Sequence, residues 1–130
     1  MRPWFALATL SLALVSSAKA SSFTCPPTLE TAATPGGQPQ SFKFRYVSFF
    51  DGDPKDLADL APDDGPDPTK LEQRWQFTRT KERPIIMICR YHGTDRTIQM
   101  EVPPEIKECR LEGLIDDEGQ IVGSPTLTCR

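Results

Sequence analysis

The stretch Ile85-Ile86-Met87-Ile88-Cys89-Arg90-Tyr91, resumed after His92-Gly93-Thr94-Asp95 as Thr97-Ile98-Gln99-Met100-Glu101-Val102, decides the fold. Its first five residues are apolar at every position, the pattern of a central strand covered on both faces. From Thr97 the pattern becomes strict alternation. Ile98, Met100 and Val102 share one face and Thr97, Gln99 and Glu101 the other, as in a strand with one wet face. His92 to Asp95 is then the loop of a hairpin. Pro103-Pro104 ends the second strand, because proline has no N–H to give to a ladder.

The same period of two extends in both directions. Phe42, Phe44 and Tyr46 form an aromatic row with Lys43 and Arg45 opposite. Val47, Phe49 and Phe50 break that phase, which predicts a bulge or strand end near Ser48. Trp75 and Phe77 share a face, with Arg74, Gln76 and Thr78 on the other. The only candidate helix is short, Pro54 to Leu60, with Leu57 and Leu60 at i, i+3. The expectation is an all-β, mainly antiparallel domain, a small barrel or sandwich of about six or seven strands with at most one short helix.

The first twenty residues read as an export signal. Arg2 supplies the positive start, Trp4 to Val15 is apolar apart from Thr9 and Ser11, and Ala18-Lys19-Ala20 gives the small-x-small cleavage pattern. That run is shorter than the roughly 20 apolar residues needed to span a bilayer. Residues 21–130 are thus expected to form one exported β-rich domain, periplasmic or secreted and not membrane-spanning. Of 15 basic residues, losing Arg2 and Lys19 leaves 13 against 18 acidic ones, a net charge of −5. An excess of negative charge argues against nucleic-acid binding.

All four cysteines, Cys25, Cys89, Cys109 and Cys129, lie after the signal. An even count in a small exported chain favours two disulfides, and no pair has the close spacing of zinc ligands. Three pairings are open. Cys109-Arg110-Leu111 and Leu127-Thr128-Cys129 give the lean: in an antiparallel pair Leu111 faces Leu127 and Cys109 faces Cys129. Cys25 is then left for Cys89.

Charge is segregated. Asp51 to Pro68 holds seven aspartates against one lysine, and prolines 54, 62, 66 and 68 stiffen it. A stiff acidic loop loses little entropy on docking and steers toward cationic partners. Asp51, Asp53, Asp56, Asp59, Asp63 and Asp64 are the candidate partner-binding residues. The partner expected is a cationic protein of the cell envelope, blocked by an inhibitor or immunity-type protein. Thr69 to Tyr91 is basic; Arg74, Arg79, Lys81, Arg83 and Arg90 could line one face, although exposed charges commonly serve to keep strands soluble.

Catalytic and metal chemistry finds little footing. His92 is the only histidine, and no nucleophile accompanies it. The acidic stretch fails the EF-hand pattern, with Lys55, Asp56 and Pro62 at positions 5, 6 and 12 counted from Asp51. An irregular cation site at Asp51, Asp53 and Asp56 is the weaker alternative. Glu101 and Asp116-Asp117-Glu118 lack the apolar setting that paired glycosidase carboxylates require. No catalytic residue, metal ligand or cofactor is assigned. The rival reading is a small periplasmic hydrolase or cation-dependent enzyme built around His92 or Asp51.

Across residues 25–130 the chain resembles a family of small exported proteobacterial proteins of unknown function. The resemblance rests on Cys25-Pro26, Phe49-Phe50-Asp51-Gly52-Asp53-Pro54, Leu60-Ala61-Pro62-Asp63 and the single Trp75. Cys89-Arg90-Tyr91-His92-Gly93-Thr94, Val102-Pro103, Cys109 and the terminal Cys129-Arg130 complete it, in that order. Ile86 and Met87 depart from the aromatic residues usual at those positions. The resemblance implies a periplasmic or secreted β-domain with two disulfides and brings no active site with it.

Overall fold

A computed structural model describes residues 22–32, 35–78 and 83–130. The expected signal, residues 1–20, lies outside the described residues, as do Arg79 and Lys81. Eight strands follow in chain order: β1 (Thr28–Glu30), β2 (Ser41–Asp51), β3 (Asp63–Asp64), β4 (Lys70–Gln76), β5 (Ile85–Tyr91), β6 (Thr97–Glu101), β7 (Glu108–Ile115) and β8 (Ile121–Cys129). They form two four-stranded sheets of orders β1-β2-β5-β6 and β3-β4-β7-β8, antiparallel throughout. The count exceeds the sequence expectation only through the very short β1 and β3. Both are tacked onto longer strands that the alternation had already marked.

The expected hairpin is β5–β6, with Met87 opposite Met100 and Cys89 opposite Ile98. On β5 the inward row is Ile85, Met87, Cys89 and Tyr91, all buried in the main core. Ile88 is buried outside that core, and its neighbour Ile86 is half-buried. The second sheet contributes Leu71, Trp75, Cys109, Leu111 and Leu127. Phe49 meets Trp75 and Phe77 with ring centroids 4.9 and 5.1 Å apart, and so links β2 to the end of β4. Burial of such large rings is the main driving force of a small domain.

Two expectations are corrected along β2 and beyond it. The bulge falls at Arg45, between Phe44 opposite Tyr91 and Tyr46 opposite Arg90, and not near Ser48. The extra residue displaces Tyr46 from the Phe42–Phe44 row and brings Val47 and Phe49 inward, so the three aromatics do not form the single row that alternation predicts. The helix reduces to a single 3-10 turn, Pro54–Asp56, capped by the Asp53 side chain. Leu57 leaves it in a left-handed conformation (φ 58°, ψ 25°) with 82 % of its surface exposed, so it does not pack inward beside Leu60.

The two disulfides are Cys25–Cys89 and Cys109–Cys129, as the strand symmetry led us to expect. The first fixes the N-terminal segment to the central strand β5. Tyr91 Oη reinforces it by donating to Pro26 O at 2.8 Å, and Thr24 Oγ1 donates across to Leu127 O of β8 at 3.1 Å. The second crosses the β7–β8 ladder between directly opposed residues whose Cα atoms are 4.1 Å apart. β8 is an outer strand, yet three features blunt its free side. Thr24 occupies Leu127 O, His92 Nε2 occupies Gly123 O at 2.9 Å, and Pro125 has no N–H.

Candidate functional site

The acidic segment is the bridge between the sheets. It leaves β2 at Asp51 and enters β4 at Lys70, and backbone hydrogen bonds hold its two legs. On the first leg Asp51 N donates to Ala58 O (3.0 Å) and Leu60 N to Phe49 O (2.9 Å). Trp75 Nε1 donates to Leu60 O at 3.0 Å, so a core indole anchors the middle of the segment. On the second leg Asp63 and Asp64 pair with Arg74 and Gln73 of β4, and Gly65 N donates to Glu72 O at 2.8 Å. Gly65 lies so close to Glu72 that a β-carbon there would sit 2.6 Å from Glu72 Cβ.

The six aspartates do not share one role. Asp51 is half-buried and faces Arg83, whose Nε lies 3.5 Å from its carboxylate and whose guanidinium also donates to Asp51 O. Asp53 accepts from Lys55 N at 3.0 Å. Asp64 accepts from Gln73 Nε2 at 3.4 Å. Asp53, Asp56, Asp59, Asp63 and Asp64 are exposed. Asp51, Asp53 and Asp56 do not converge on a cation site: among the described residues no three carboxylate, histidine or cysteine groups gather in metal-binding geometry.

Where the segment meets both sheets, Tyr46 collects a polar cluster. Burial raises its phenol above the ordinary value, a hydrogen bond with Gln73 opposes that rise, and Asp59 and Asp64 add to it. Gln73 Oε1 is buried and accepts no hydrogen bond among the described residues. Further along, Asp67 accepts from the Thr69 hydroxyl at 2.6 Å and from Thr69 N at 2.9 Å. Those bonds, the hydroxyl foremost, hold its carboxyl below the usual aspartate range.

His92 has a structural post. Its backbone N–H donates to Lys43 O, and Nε2 donates to Gly123 O, which ties the β5–β6 hairpin to β8 in the opposite sheet. A carbonyl only accepts, so this contact fixes the proton on Nε2. Gly93 beside it adopts φ 80°, the left-handed geometry that a glycine supplies without strain. The basic residues do not form one face: Arg74 projects from the second sheet, Arg90 donates to Ser48 Oγ in the first, and Arg83 is engaged with Asp51.

Sequence reading missed a groove of about 340 Å³ over the outer face of the second sheet, lined by Asp63 to Pro66, Glu72 to Arg74, Arg110 and Glu112. The signal lay in Glu72-Gln73-Arg74 and Arg110-Leu111-Glu112, two strands of alternating charge. Only the register shows which charges face each other.

The chain matches the family model of the Type VI secretion system Tli immunity protein over residues 38–130. It belongs to that family. The matched region holds every strand except β1 and includes the whole acidic bridge and the charged groove. A relative from Azospirillum brasilense, described as an uncharacterized 16.3 kDa protein in the trpG 5' region, is 26 % identical over 145 residues, covering 96 % of this chain and 93 % of that protein. No solved structure matches. As a Tli-family protein the chain is immunity-like: it acts by binding another macromolecule, in this family a toxin, and not as an enzyme. The hydrolase reading is thereby set aside. Among the described residues of this Tli-family chain no helix is long and apolar enough to cross a membrane.

Proposed function

We propose that the protein neutralises a cationic protein toxin outside the cytoplasm, docking it on the acidic bridge through Asp53, Asp56, Asp59, Asp63 and Asp64. The family match carries the reading, since immunity is exercised by binding the toxin. The bridge adds charge and stiffness. Its five exposed carboxylates attract positive charge over several ångströms, and its backbone is already tied to both sheets, so docking orders little new chain. Asp51, held by Arg83, supports the bridge and is not a contact residue. Two disulfides and the signal-like residues 1–20 support an oxidising compartment reached by export, the periplasm first.

The test is protection from the Type VI toxin that the wild-type chain neutralises on co-expression. Replacing the five aspartates by asparagine keeps side-chain size and removes the charge. Protection should fail, with affinity down about a hundredfold at low salt and the difference narrowing as salt rises. Equal protection by the variant removes the bridge as the docking surface.

A further inference from the structure

The outer face of the second sheet sets like charges directly opposite one another. Across β4 and β7, Glu72 stands directly opposite Glu112 and Arg74 directly opposite Arg110. The hydrogen-bond pattern places them at the closer kind of position. Glu108 and Arg130 exchange both backbone bonds (3.0 and 2.9 Å), and Phe77 N donates to Lys107 O (2.9 Å). Counting along β7 from those bonds makes Arg74–Arg110 and Glu72–Glu112 non-hydrogen-bonded pairs, whose side chains approach most nearly. Like charges at such positions destabilise a sheet. Among the described residues Glu72, Arg74 and Glu112 form no ion pair, so the only relief is at longer range, to Arg74 from Asp63 opposite it on β3 and from Glu108 on the diagonal. Arg110 reaches only Glu108, at 3.8 Å, and that carboxylate is already bound by Arg130 at 2.6 Å.

One step beyond the acid pair, Leu114 stands opposite Val122, with 63 % and 51 % of their surfaces exposed. Lys70 flanks them on β4. The face therefore runs in rows: apolar, acidic, basic. Asp63 and Asp64 wall the groove beside the charged rows.

We infer that this face is a second contact surface for the toxin, and that it receives an extended segment with the pattern apolar-x-basic-x-acidic. The basic side chain sits between Glu72 and Glu112; the neighbour of Glu72 on the β3 side is Gly65, which leaves room for it. The acidic one is forked between Arg74 and Arg110, and the apolar one covers Leu114 and Val122. Rows two residues apart on a strand are separated by about 7 Å, which is also the spacing of alternate side chains on an extended partner. Each like-charged pair then becomes a three-charge set with the opposite sign in the middle. Two arginines around one carboxylate and two carboxylates around one cation are both charge-assisted arrangements. The inference rests on the toxin-neutralising reading and adds to it the order of charges that the toxin must present.

The test exchanges the rows without altering net charge: Glu72→Arg, Arg74→Glu, Arg110→Glu and Glu112→Arg in one chain. Long-range attraction is unchanged and the local pattern is inverted. The probe is the Type VI toxin bound by the wild-type chain, and affinity is measured alongside the melting temperature. The inference expects an affinity loss of at least about tenfold, read at a temperature well below the melting point of both chains. The milder variant Glu112→Gln should bind more weakly yet melt higher, because it relieves the opposition; a merely structural role would lower both. Wild-type affinity in the exchanged chain, or a melting temperature that falls with affinity in Glu112→Gln, overturns the inference and leaves the acidic bridge standing. Failure of the wild-type chain to bind any Type VI toxin overturns the toxin reading and this inference together.

Discussion

The two sheets are built alike on the inside and unlike on the outside. Inward, each presents alternate apolar residues and half-cystines to a shared core: Met87 and Cys89 from β5, Leu111 and Cys109 from β7 with Cys129 of β8 packed against them. Outward, the first sheet still buries Ile88 and half-buries Phe50 and Ile86, with exposed Gln99, Glu101 and Arg90 around them. The second turns Glu72, Arg74, Arg110 and Glu112 toward solvent in opposed like-charged pairs. One face is finished by folding, whereas the other is left electrostatically unfinished. A fold that tolerates such a face does so because the core and the crosslinks carry its stability.

Removing the crosslinks is the severest way to break the comparison. Cys25→Ala with Cys89→Ala releases a loop of sequence separation 64, and Cys109→Ala with Cys129→Ala one of 20. Loop-closure entropy gives losses of about 4 and about 3 kcal/mol. Urea unfolding should therefore show the first sheet's clamp to be the costlier one to lose. The opposite order would mean that residual structure, not loop length, sets the unfolded state.

The outer faces should respond to truncation with opposite signs. Ile88→Ala removes a buried side chain and should cost about 2–3 kcal/mol. Glu112→Thr on the second sheet removes a repulsion opposite Glu72 and should gain a few tenths, up to about 0.5 kcal/mol. Denaturation midpoints of the two variants, compared with the wild type, check this directly. Loss at both positions would show that the second face is as finished as the first.

The smallest effect expected is an acid limb. The hydrogen bond from Arg130, aided by the charges of Arg130, Arg110 and Arg74, holds the Glu108 carboxyl below its ordinary value of 4.5. A carboxyl depressed on folding contributes fully above its unfolded value and loses that contribution as pH falls through the depressed one. Wild-type melting temperature should thus decline below the ordinary glutamate range, and Glu108→Gln should flatten part of the decline. An unchanged slope would show that the closure of β7 on the C-terminal residue adds nothing.

Much of the architecture could be read from the chain because it depends on alternation and spacing, which are local. Ile98, Met100 and Val102 announced their strand, and Cys109-x-Leu111 against Leu127-x-Cys129 announced a register and a disulfide. What stayed hidden depends on phase. Nothing in the sequence marks Arg45 as the bulge, because it continues the basic alternation begun at Lys43. Its position is set by how Phe44 and Val47 must both reach the core across β5. Leu57 shows a related failure: a leucine three residues before another reads as a helix face, but the 3-10 turn ends at Asp56 and throws it outward. The charged groove is the sharpest case. Glu72-x-Arg74 and Arg110-x-Glu112 pair like with like in one register, and a slip of two residues brings opposite charges face to face. Pairing geometry, not composition, therefore decides what that surface can accept.

The free flank of β8 has a consequence for a protein that must be in place before attack. A nine-residue border with every amide and carbonyl available would recruit identical molecules into growing ribbons as concentration rose. Thr24 and His92 instead sit on two of its carbonyls, and Pro125 deletes a donor between them. A cell can thus stockpile the molecule without its neighbours knitting together.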